Sequence, residues 1–341
     1  MKVGTCEERE HEEREKFTRK EGWRTSPPKD HDNPVLVNRE VLGATADVTP
    51  TIDIPALPEL APDAGPVVAD RTPLPEGFRT TLLITAYKRD EQMRSGLKSV
   101  LDQDPAGLRV EPLVLDDAAQ PSTAAICSEM GVKYMATRIL EPGVKPPWRT
   151  PAFAFNIGCK HTTGDAIILS CAEMFHVKHC LAGMLSILRE DPLALAIPEG
   201  KDDSGNILDT LKGGRQPTNS QIDELQPLSV QLPFLMGFKR AHYEQIGGYD
   251  EDMVGMAFDD DDIVWRLLQL GCHYRQAPKS RAVHLYHDRI PYMTPNQKVM
   301  WAFNRHAYLS RRRILVRNKT GKWGQAFRPK DHFNAWNPEV V

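Results

Sequence analysis

The chain has 341 residues, of which 40% are hydrophobic and 26% charged, and its formal net charge is −3. These values are ordinary for a globular protein with a substantial core, and they exclude a protein-wide attraction to nucleic acid or anionic membrane. No apolar run approaches the roughly 20 residues that a membrane-spanning helix needs. The charged N-terminus also lacks the apolar core of a signal peptide, so we expect a cytoplasmic protein with no membrane partner.

Six cysteines are scattered along the chain, and none forms a Cys-x-x-Cys pair. This spacing predicts reduced, mostly buried thiols rather than a disulfide framework or a zinc site. The cysteines are Cys6, Cys127, Cys159, Cys171, Cys180 and Cys272.

The N-terminal quarter is charged and then rich in proline. Ten of the 27 prolines lie within residues 27–75, so no long helix or central strand is expected there. We therefore predict that residues 1–77 form an arm and an extended segment, which wraps either the catalytic body or a partner.

From Thr80 onward, apolar strand patterns alternate with amphipathic helix patterns. This alternation predicts an α/β protein with βαβ units, a mostly parallel central sheet and helices on both faces. The predicted strands are TTLLITAY, VEPLVLDD, VKYMAT and DAIILSCAE, and the predicted helices are EQMRSGLKSVLDQ, STAAICSEMG and FAFNIGCKHTTG.

Polar side chains follow three of these predicted strands, at Thr85–Arg89, Asp116–Asp117 and Cys171–Glu173. Ligands of open α/β sheets bind beyond the carboxyl ends of the strands. The three polar strand ends therefore predict a binding site at one edge of the sheet.

Four consecutive aspartates, Asp259–Asp262, stand directly before an amphipathic helix pattern. Like charges in a row repel each other, so the run needs compensation by a helix N-terminus, a metal ion or a polar substrate.

The motifs in this order resemble a known enzyme family. LLITAYKRDEQMRSGLKSVLDQ, the strand ending LDDAAQPST, and FNIGCKHTTGDAIILS resemble family-2 glycosyltransferases of the GT-A fold. GFKRAHYEQIGGYDEDMVGMAFDDDDIVWRLLQLG resembles the catalytic segment of β-1,4-galactosyltransferases. The resemblance implies a GT-A catalytic domain over residues 78–290, followed by a basic, aromatic extension over residues 291–341.

The resemblance also implies a nucleotide-diphosphate sugar donor, with a UDP-sugar as the expected type. A carboxylate at the end of a strand accepts hydrogen bonds from the base or ribose, and an arginine approaches the diphosphate. For the LDD motif the alternative is a turn capped by its own aspartate. The implied donor-binding residues are Thr85, Tyr87, Arg89, Asp116, Asp117, Arg149 and Asn156.

The metal-binding motif of the family is altered in this chain. Cys171-Ala172-Glu173 stands where the family carries Asp-x-Asp, so one carboxylate remains. The resemblance implies that His287 completes the metal site, with His284 as a further ligand. Because imidazoles suit manganese better than magnesium, we expect a divalent cation of the Mn²⁺ type, with Mg²⁺ as the alternative.

The acidic run takes the place of the family's catalytic carboxylates. The resemblance implies that Asp260 is the general base for a hydroxyl acceptor and that Asp259 replaces a glutamate beside it. Asp261 and Asp262 are expected to cap the following helix or to bind its N-terminal amides. The galactosyltransferases have a glycine pair where this chain has Ala257-Phe258, so their acceptor is not carried over. Gly247 and Gly248 predict a close backbone approach behind this loop.

The C-terminal extension interleaves basic and aromatic residues. One interpretation is an amphipathic helix that packs its aromatic side chains on the body. The other is a surface within residues 305–322 for a phosphate-rich acceptor such as DNA. The residues are Arg305, Arg311, Arg312, Arg313, Arg317, Lys319 and Lys322, with Trp301, Phe303, Tyr308 and Trp323.

The main functional hypothesis is an inverting, metal-assisted glycosyltransferase acting on a hydroxyl of a glycan or a small molecule. One alternative is the same chemistry on hydroxylated bases of DNA. An alternative of another class is a non-catalytic nucleotide-sugar-binding protein, because the Asp-x-Asp motif is degenerate.

Overall fold

The structure is a computed structural model. It describes residues 60, 65–103, 108–138, 150–228, 234–253, 257–288, 295–318 and 323–325.

The first half of the sheet is parallel, as the alternating pattern predicted. β1 (Thr80–Ala86) lies between β2 (Val110–Asp116) and β4 (Ala166–Cys171) and pairs in parallel with both. In this register Ala86 is opposite Asp116, and Thr85 is opposite Cys171. The polar ends of three strands therefore meet at one edge, as expected.

The second half of the sheet is mixed rather than parallel. β8 (Leu235–Lys239) pairs antiparallel with β4, while β6 (Ala194–Asp202) and β9 (His273–His284) pair with each other in parallel. Four of the eight strand pairings in the described residues are parallel, so the expectation of a mostly parallel sheet holds only for the N-terminal half. From one edge to the other, the strands are β3 (Lys133–Ala136), β2, β1, β4, β8, β6, β9 and β5 (Met174–His176), and β7 (Gln226–Pro227) pairs with β6.

The elements alternate in the chain order that the sequence predicted for residues 80–173. The helices are α1 (Asp90–Leu101), α2 (Pro121–Met130), α3 (Ala152–Lys160), α4 (Cys180–Glu190), α5 (Asn206–Lys212), α6 (Asn219–Asp223), α7 (Arg240–Gln245), α8 (Asp259–Leu270) and α9 (Pro295–Arg311).

The main core lies between the sheet and helices α1 and α4. Leu82 and Ile168 from the strands pack in one buried cluster with Met93, Leu97 and Met184 from the helices. β1 is buried along its whole length, which is the pattern of a strand covered on both faces. The central strands thereby form a rigid base for the side chains at their carboxyl ends.

Part of the proline-rich segment packs on the catalytic body. Asp70 accepts an ion pair from Lys239 Nζ at 2.7 Å, and its carbonyl lies 2.9 Å from His242 Nε2. Leu74 and Phe78 are buried in the main core. Of the two expected roles for this segment, these contacts support wrapping of the body.

The described cysteines are free thiols, as predicted from their spacing. Four are buried, and Cys171 is half-buried at the end of β4. Cys6 lies outside the described residues.

Within the described part of the chain, no helix has the length and apolar character needed to cross a membrane.

Candidate active site

The turn after β4 lies beside the end of β9. β5 pairs antiparallel with β9, so that Met174 is opposite His284. The Leu285 amide also donates to the Glu173 carbonyl at 2.8 Å. This pairing places Glu173, which follows β4, next to the histidines that follow β9.

Arg89 joins the two expected metal ligands. Its Nε donates to Glu173 Oε1 at 2.9 Å, and its Nη2 lies 3.4 Å from His287 Nδ1. Gln92 on α1 donates to the Tyr286 carbonyl at 2.8 Å, which fixes the histidine loop against the helix. Glu173, His287 and Arg89 are therefore brought together as the sequence predicted.

The chemistry of this group fits a divalent cation that shares its coordination with a diphosphate. Glu173 offers a carboxylate, and burial lowers the pKa of His287, which keeps the imidazole neutral near pH 7. His287 Nδ1 lies 3.0 Å from the Asp288 carbonyl and 3.4 Å from Arg89 Nη2. The carbonyl contact is satisfied by the tautomer protonated at Nδ1, which leaves the lone pair on Nε2, whereas the Arg89 contact is satisfied by the other tautomer. Among the described residues, no three His, Cys, Asp or Glu side chains are grouped closely enough to hold a metal alone.

His284, the last residue of β9, contacts His287 and Asp202. The two imidazole rings are 5.2 Å apart in an edge-to-face arrangement, and His284 Nδ1 lies 3.1 Å from Asp202 Oδ1. A carboxylate bonded to one imidazole nitrogen is typical of a histidine that binds metal through the other nitrogen. Asp202 is a residue that the sequence pattern did not single out.

The ends of β1, β2 and β3 form a second polar group. Asp117 accepts from Thr137 Oγ1 at 2.8 Å and from Arg138 Nε at 2.9 Å. Burial raises the pKa of Tyr87, and the charges of Arg138 and Asp117 also act on it, so these three side chains are neighbours. Thr85 is buried at the same edge. Sequence reasoning missed Arg138, although it follows β3 and the strand-end rule would have included it.

Asp116 is a structural residue, which corrects its assignment to the donor site. Its side chain is fully buried and accepts hydrogen bonds from the amides of Ala118 and Gln120 and from the Tyr134 hydroxyl. This is the turn capped by its own aspartate, the alternative left open for the LDD motif. The nucleoside-binding expectation therefore falls on Asp117.

Asn156 is also structural, which is a second correction to the donor-binding set. Its Oδ1 accepts from the Tyr243 hydroxyl at 2.6 Å and from the Tyr249 amide at 2.9 Å. Its Nδ2 donates to the Tyr249 carbonyl and to Glu251 Oε1. Because the side chain is completely buried and its amide is used internally, a donor does not reach it. Arg149, the neighbouring candidate, lies outside the described residues.

Asp260 stands at the start of α8 and faces the end of β4. It is half-buried and accepts from the Tyr249 hydroxyl at 3.0 Å. Burial, with the charge of Asp259, raises the pKa of Asp260 well above its usual value. The thiol of Cys171 has its pKa raised by burial first and also by Glu173 and Asp260. Asp260 and the metal-ligand candidate therefore approach the same strand end.

Asp259 and Asp261 are buried carboxylates with unsatisfied oxygens. Among the described residues, the Oδ2 atom of each has no hydrogen-bond partner. Burial raises the pKa of Asp259 to about 7 and that of Asp261 to about 6. The backbone amides of Asp259 and Asp260 offset part of the rise for Asp259. Burial and mutual repulsion thus raise the pKa values of the first three aspartates and favour their protonated forms.

Asp262 does not cap the helix, which corrects the prediction for the end of the run. Its two oxygens accept from Arg266 Nε at 2.7 Å and from Arg317 Nη2 at 2.9 Å, and all three side chains are buried. The N-cap residue of α8 is Phe258, which makes no capping hydrogen bond through its side chain. Asp261 likewise does not provide the predicted cap.

The glycine pair behind the acidic run is required by close backbone contacts, as predicted. Gly247 and Gly248 have φ values of +72° and +67°. A Cβ atom at Gly247 would lie 1.9 Å from the Arg317 carbonyl oxygen, and one at Gly248 would lie 2.4 Å from Asn156 Oδ1. No larger residue fits at either position without displacement of the backbone or the Asn156 side chain.

The described part of the C-terminal extension packs on the body, in agreement with the amphipathic interpretation. Arg311 and Arg317 are buried in ion pairs with Asp250 at 2.8 and 2.9 Å, so they do not belong to an exposed basic surface. Arg312 stacks over Trp265 at 4.3 Å. Arg305 and Arg313 are exposed. Lys319 and Lys322 lie outside the described residues.

Comparison with known proteins adds two matches to sequence families. Residues 81–247 match the profile described as glycosyl transferase family 2. Residues 234–288 match the profile described as the N-terminal domain of galactosyltransferase, and they include both the acidic run and the histidine pair. No curated protein sequence matches the chain.

Solved structures with a similar fold include two nucleotide-sugar transferases. One is the mannosyltransferase PcManGT from Pyrobaculum calidifontis in complex with GDP-Man and Mn²⁺, with 17% identity, a TM-score of 0.43 and coverage of 72% of this chain. The other is GalNAc-T7 with UDP, GalNAc and Mn²⁺, with 14% identity, a TM-score of 0.45 and coverage of 63% of this chain. The chain spans 66% and 46% of the lengths of these two proteins.

The parallel half-sheet, the polar strand ends and the family 2 match define the class as a GT-A-fold glycosyltransferase. Within that class, the chain is a family-2-like member whose residues 234–288 form a galactosyltransferase-like segment.

Proposed function

We propose that the chain transfers a sugar from a nucleotide-diphosphate donor, of the UDP-sugar type, to a hydroxyl acceptor with inversion at the anomeric carbon. The observation that carries this proposal is the approach of Asp260 to the end of β4, where Glu173, Arg89 and His287 converge. This proximity supports a site in which a general base and a group suited to a diphosphate act near one strand end.

The reaction is a single in-line displacement. The acceptor oxygen forms the new bond to the anomeric carbon, while the bond from that carbon to the diphosphate oxygen breaks. The nucleoside diphosphate leaves with the electron pair, and the acceptor proton passes to Asp260. Tyr249 orients this carboxylate through its 3.0 Å hydrogen bond.

The leaving group is stabilised by positive charge at the strand end. Arg89 is positioned to donate charge-assisted hydrogen bonds to the diphosphate. Glu173 and His287, oriented with help from His284, would hold a cation of the Mn²⁺ type, which supplies Lewis-acid stabilisation of the leaving diphosphate when bound. Asp117, Tyr87 and Arg138 would receive the nucleoside.

The base assignment is tested with Asp260→Asn. Donors are first found by thermal shift with UDP-glucose, UDP-galactose, UDP-N-acetylglucosamine and GDP-mannose, each with and without Mn²⁺. With an active donor, we expect turnover to fall by about 10²–10⁴-fold while donor binding persists. Asp261→Asn, which removes a charge from the same run, is the matched control. Undiminished turnover in Asp260→Asn contradicts the assignment, and binding without turnover in the unaltered protein supports the non-catalytic alternative.

The metal assignment is tested by calorimetric titration of Mn²⁺ in the presence of UDP. We expect Glu173→Gln and His287→Ala each to weaken Mn²⁺ binding by at least about tenfold, because each removes one of two protein ligands. His273→Ala, which removes an imidazole at the other end of β9, is the control. Unchanged Mn²⁺ affinity in both ligand variants would place the cation elsewhere.

A further inference from the structure

The turn before α8 has an unusual backbone. Ala257 and Phe258 both have φ of +65°, a left-handed conformation that residues with a side chain rarely adopt. Two such residues in succession, neither of them glycine, store conformational strain. The strain lies directly before Asp259 and Asp260, so the contacts that maintain it also bear on the carboxylates.

Helix α9 supplies contacts that hold this turn. Asn304 is completely buried, and its Nδ2 donates to the Ala257 carbonyl at 2.8 Å. The buried ring of Phe258 packs against Trp301 at 5.3 Å and against Tyr308 at 5.8 Å between ring centroids. Three side chains on one helix therefore contact both strained residues.

The turn determines where α8 begins. The Asp262 amide donates to the Phe258 carbonyl at 2.9 Å, which forms the first hydrogen bond of the helix. If Ala257 relaxed to negative φ, the peptide planes before α8 would rotate and Asp260 would move relative to the end of β4. A displacement of about 1 Å in a reacting group is enough to lower a rate by up to about 10²-fold.

We propose that Asn304 is a positioning residue for the transfer reaction. Its hydrogen bond to the Ala257 carbonyl holds the left-handed turn that aims Asp260 at the acceptor. This proposal rests on the proposed function in taking Asp260 as the general base. It adds helix α9, which lies in the C-terminal extension, to the structure of the active site.

The positions of the residues expected to bind the nucleotide-sugar donor predict which kinetic constant changes when the Asn304 hydrogen bond is lost. Arg89, Asp117, Glu173 and His287 lie on the strands and loops of the sheet, and none of the contacts described above joins them to α9. Loosening of the turn should therefore lower kcat for transfer and leave the KM for the donor unchanged. General destabilisation of the fold would not separate the two constants in this way.

The experiment combines Asn304→Ala with Ala257→Gly. We expect Asn304→Ala to lower kcat by about tenfold, with the donor KM changed by less than about twofold. Glycine adopts positive φ without strain, so the double variant should recover most of the lost kcat. His306→Ala, which removes an exposed side chain from the same helix, is the control. Unchanged kcat in Asn304→Ala, or no recovery in the double variant, would overturn the proposal.

Crystal structures of the variants give a readout that is independent of activity. We expect Ala257 to have negative φ in Asn304→Ala, and the glycine introduced by Ala257→Gly to keep positive φ in the double variant. Asn304→Asp, which keeps the size of the side chain but removes the donor, replaces Asn304→Ala if that variant does not fold. A positive φ at Ala257 without the hydrogen bond would overturn the proposal. Retained turnover in Asp260→Asn would contradict the base assignment alone, since the conformation of the turn does not depend on it.

Discussion

Two pairs of neighbouring aspartates have opposite surroundings. Asp116 and Asp117 at the end of β2 are surrounded by donors, which are backbone amides, hydroxyls and the Arg138 guanidinium. Asp259 and Asp260 at the start of α8 have few donors and repel each other. A carboxylate that is satisfied internally stabilises the fold, whereas one left short of donors is available for a substrate proton.

The acidic run contains the same contrast within four residues. Asp262 has two buried arginine partners, whereas Asp259 has an oxygen without a hydrogen bond among the described residues. Charge pairing thus separates Asp262 from the part of the run that contains the proposed general base, Asp260.

Removal of an arginine that pairs with Asp262 should have the largest effect on the stability of the fold. We expect Arg317→Ala to lower the free energy of unfolding by about 3–5 kcal/mol, because Asp262 and Asp250 lose a buried counter-charge. Chemical denaturation measures this loss, and Arg313→Ala, at an exposed arginine nearby, is the control. A loss no larger than that of the control would show that the buried network is not energetically important.

A smaller loss is expected where hydrogen bonds rather than ion pairs satisfy the carboxylate. Asp116→Ala should cost about 2–3 kcal/mol of unfolding free energy, since the amides of Ala118 and Gln120 and the Tyr134 hydroxyl lose their acceptor. Asp209→Ala, at an exposed position on α5, is the control. Loss of donor binding without loss of stability would instead return Asp116 to the nucleoside site.

Neutralising Asp259, which lacks hydrogen-bond donors at one oxygen, should stabilise the fold rather than destabilise it. The pKa of Asp259 is raised to about 7 in the folded chain, so the folded state retains a proton that the unfolded state has lost above about pH 4. The stability that this group contributes is therefore full below about pH 4 and is lost as pH rises to about 7. We expect Asp259→Asn to stabilise the fold by about 1–2 kcal/mol at pH 8 and to have little effect at pH 4. Denaturation at the two pH values measures the difference, and equal effects at both would contradict the raised pKa.

The smallest expected effect is a shift in the pH dependence of turnover. Because Asp260 must lose its proton to act as a base and its pKa is raised, turnover should increase with pH well above the usual range for aspartate. Removal of the neighbouring charge in Asp259→Asn should move this acidic limb to lower pH by about one unit. If the acidic limb of the pH–turnover profile keeps its position in Asp259→Asn, the two carboxylates do not interact.

Much of the candidate site is predicted by the rule that ligands of open α/β sheets bind beyond the carboxyl ends of the strands. The rule needs only the local strand pattern and the direction of the chain. It placed Asp117, Arg89 and Glu173 at one edge, and the register of β1 with its neighbours brings their strand ends together. It did not separate Asp116 from Asp117, because the difference lies in the amides of the following turn. The local pattern shows only that both residues follow a buried strand.

Hydrogen bonds and ion pairs between residues far apart in the sequence are not predicted by the local hydrophobic pattern. Asn156 bonds to Tyr249, which lies 93 positions away, and Asp262 pairs with Arg317, which lies 55 positions away. Neither partner is marked by spacing or periodicity, so Asn156 was assigned to the donor and Asp262 to a helix cap. Such long-range contacts are settled by packing of the whole chain rather than by local propensity.

The pairing of Asp262 with Arg317 has a consequence for the order in which the protein is completed during synthesis. Arg317 lies 55 positions after Asp262, so a ribosome produces the whole of α8 and β9, including the first partner Arg266, before the second arginine partner exists. A nascent chain that stops before Arg317 holds two acids, Asp250 and Asp262, without that arginine, which opposes early closure of the site. The buried charge network around α8 is therefore complete only once Arg317 has been synthesised.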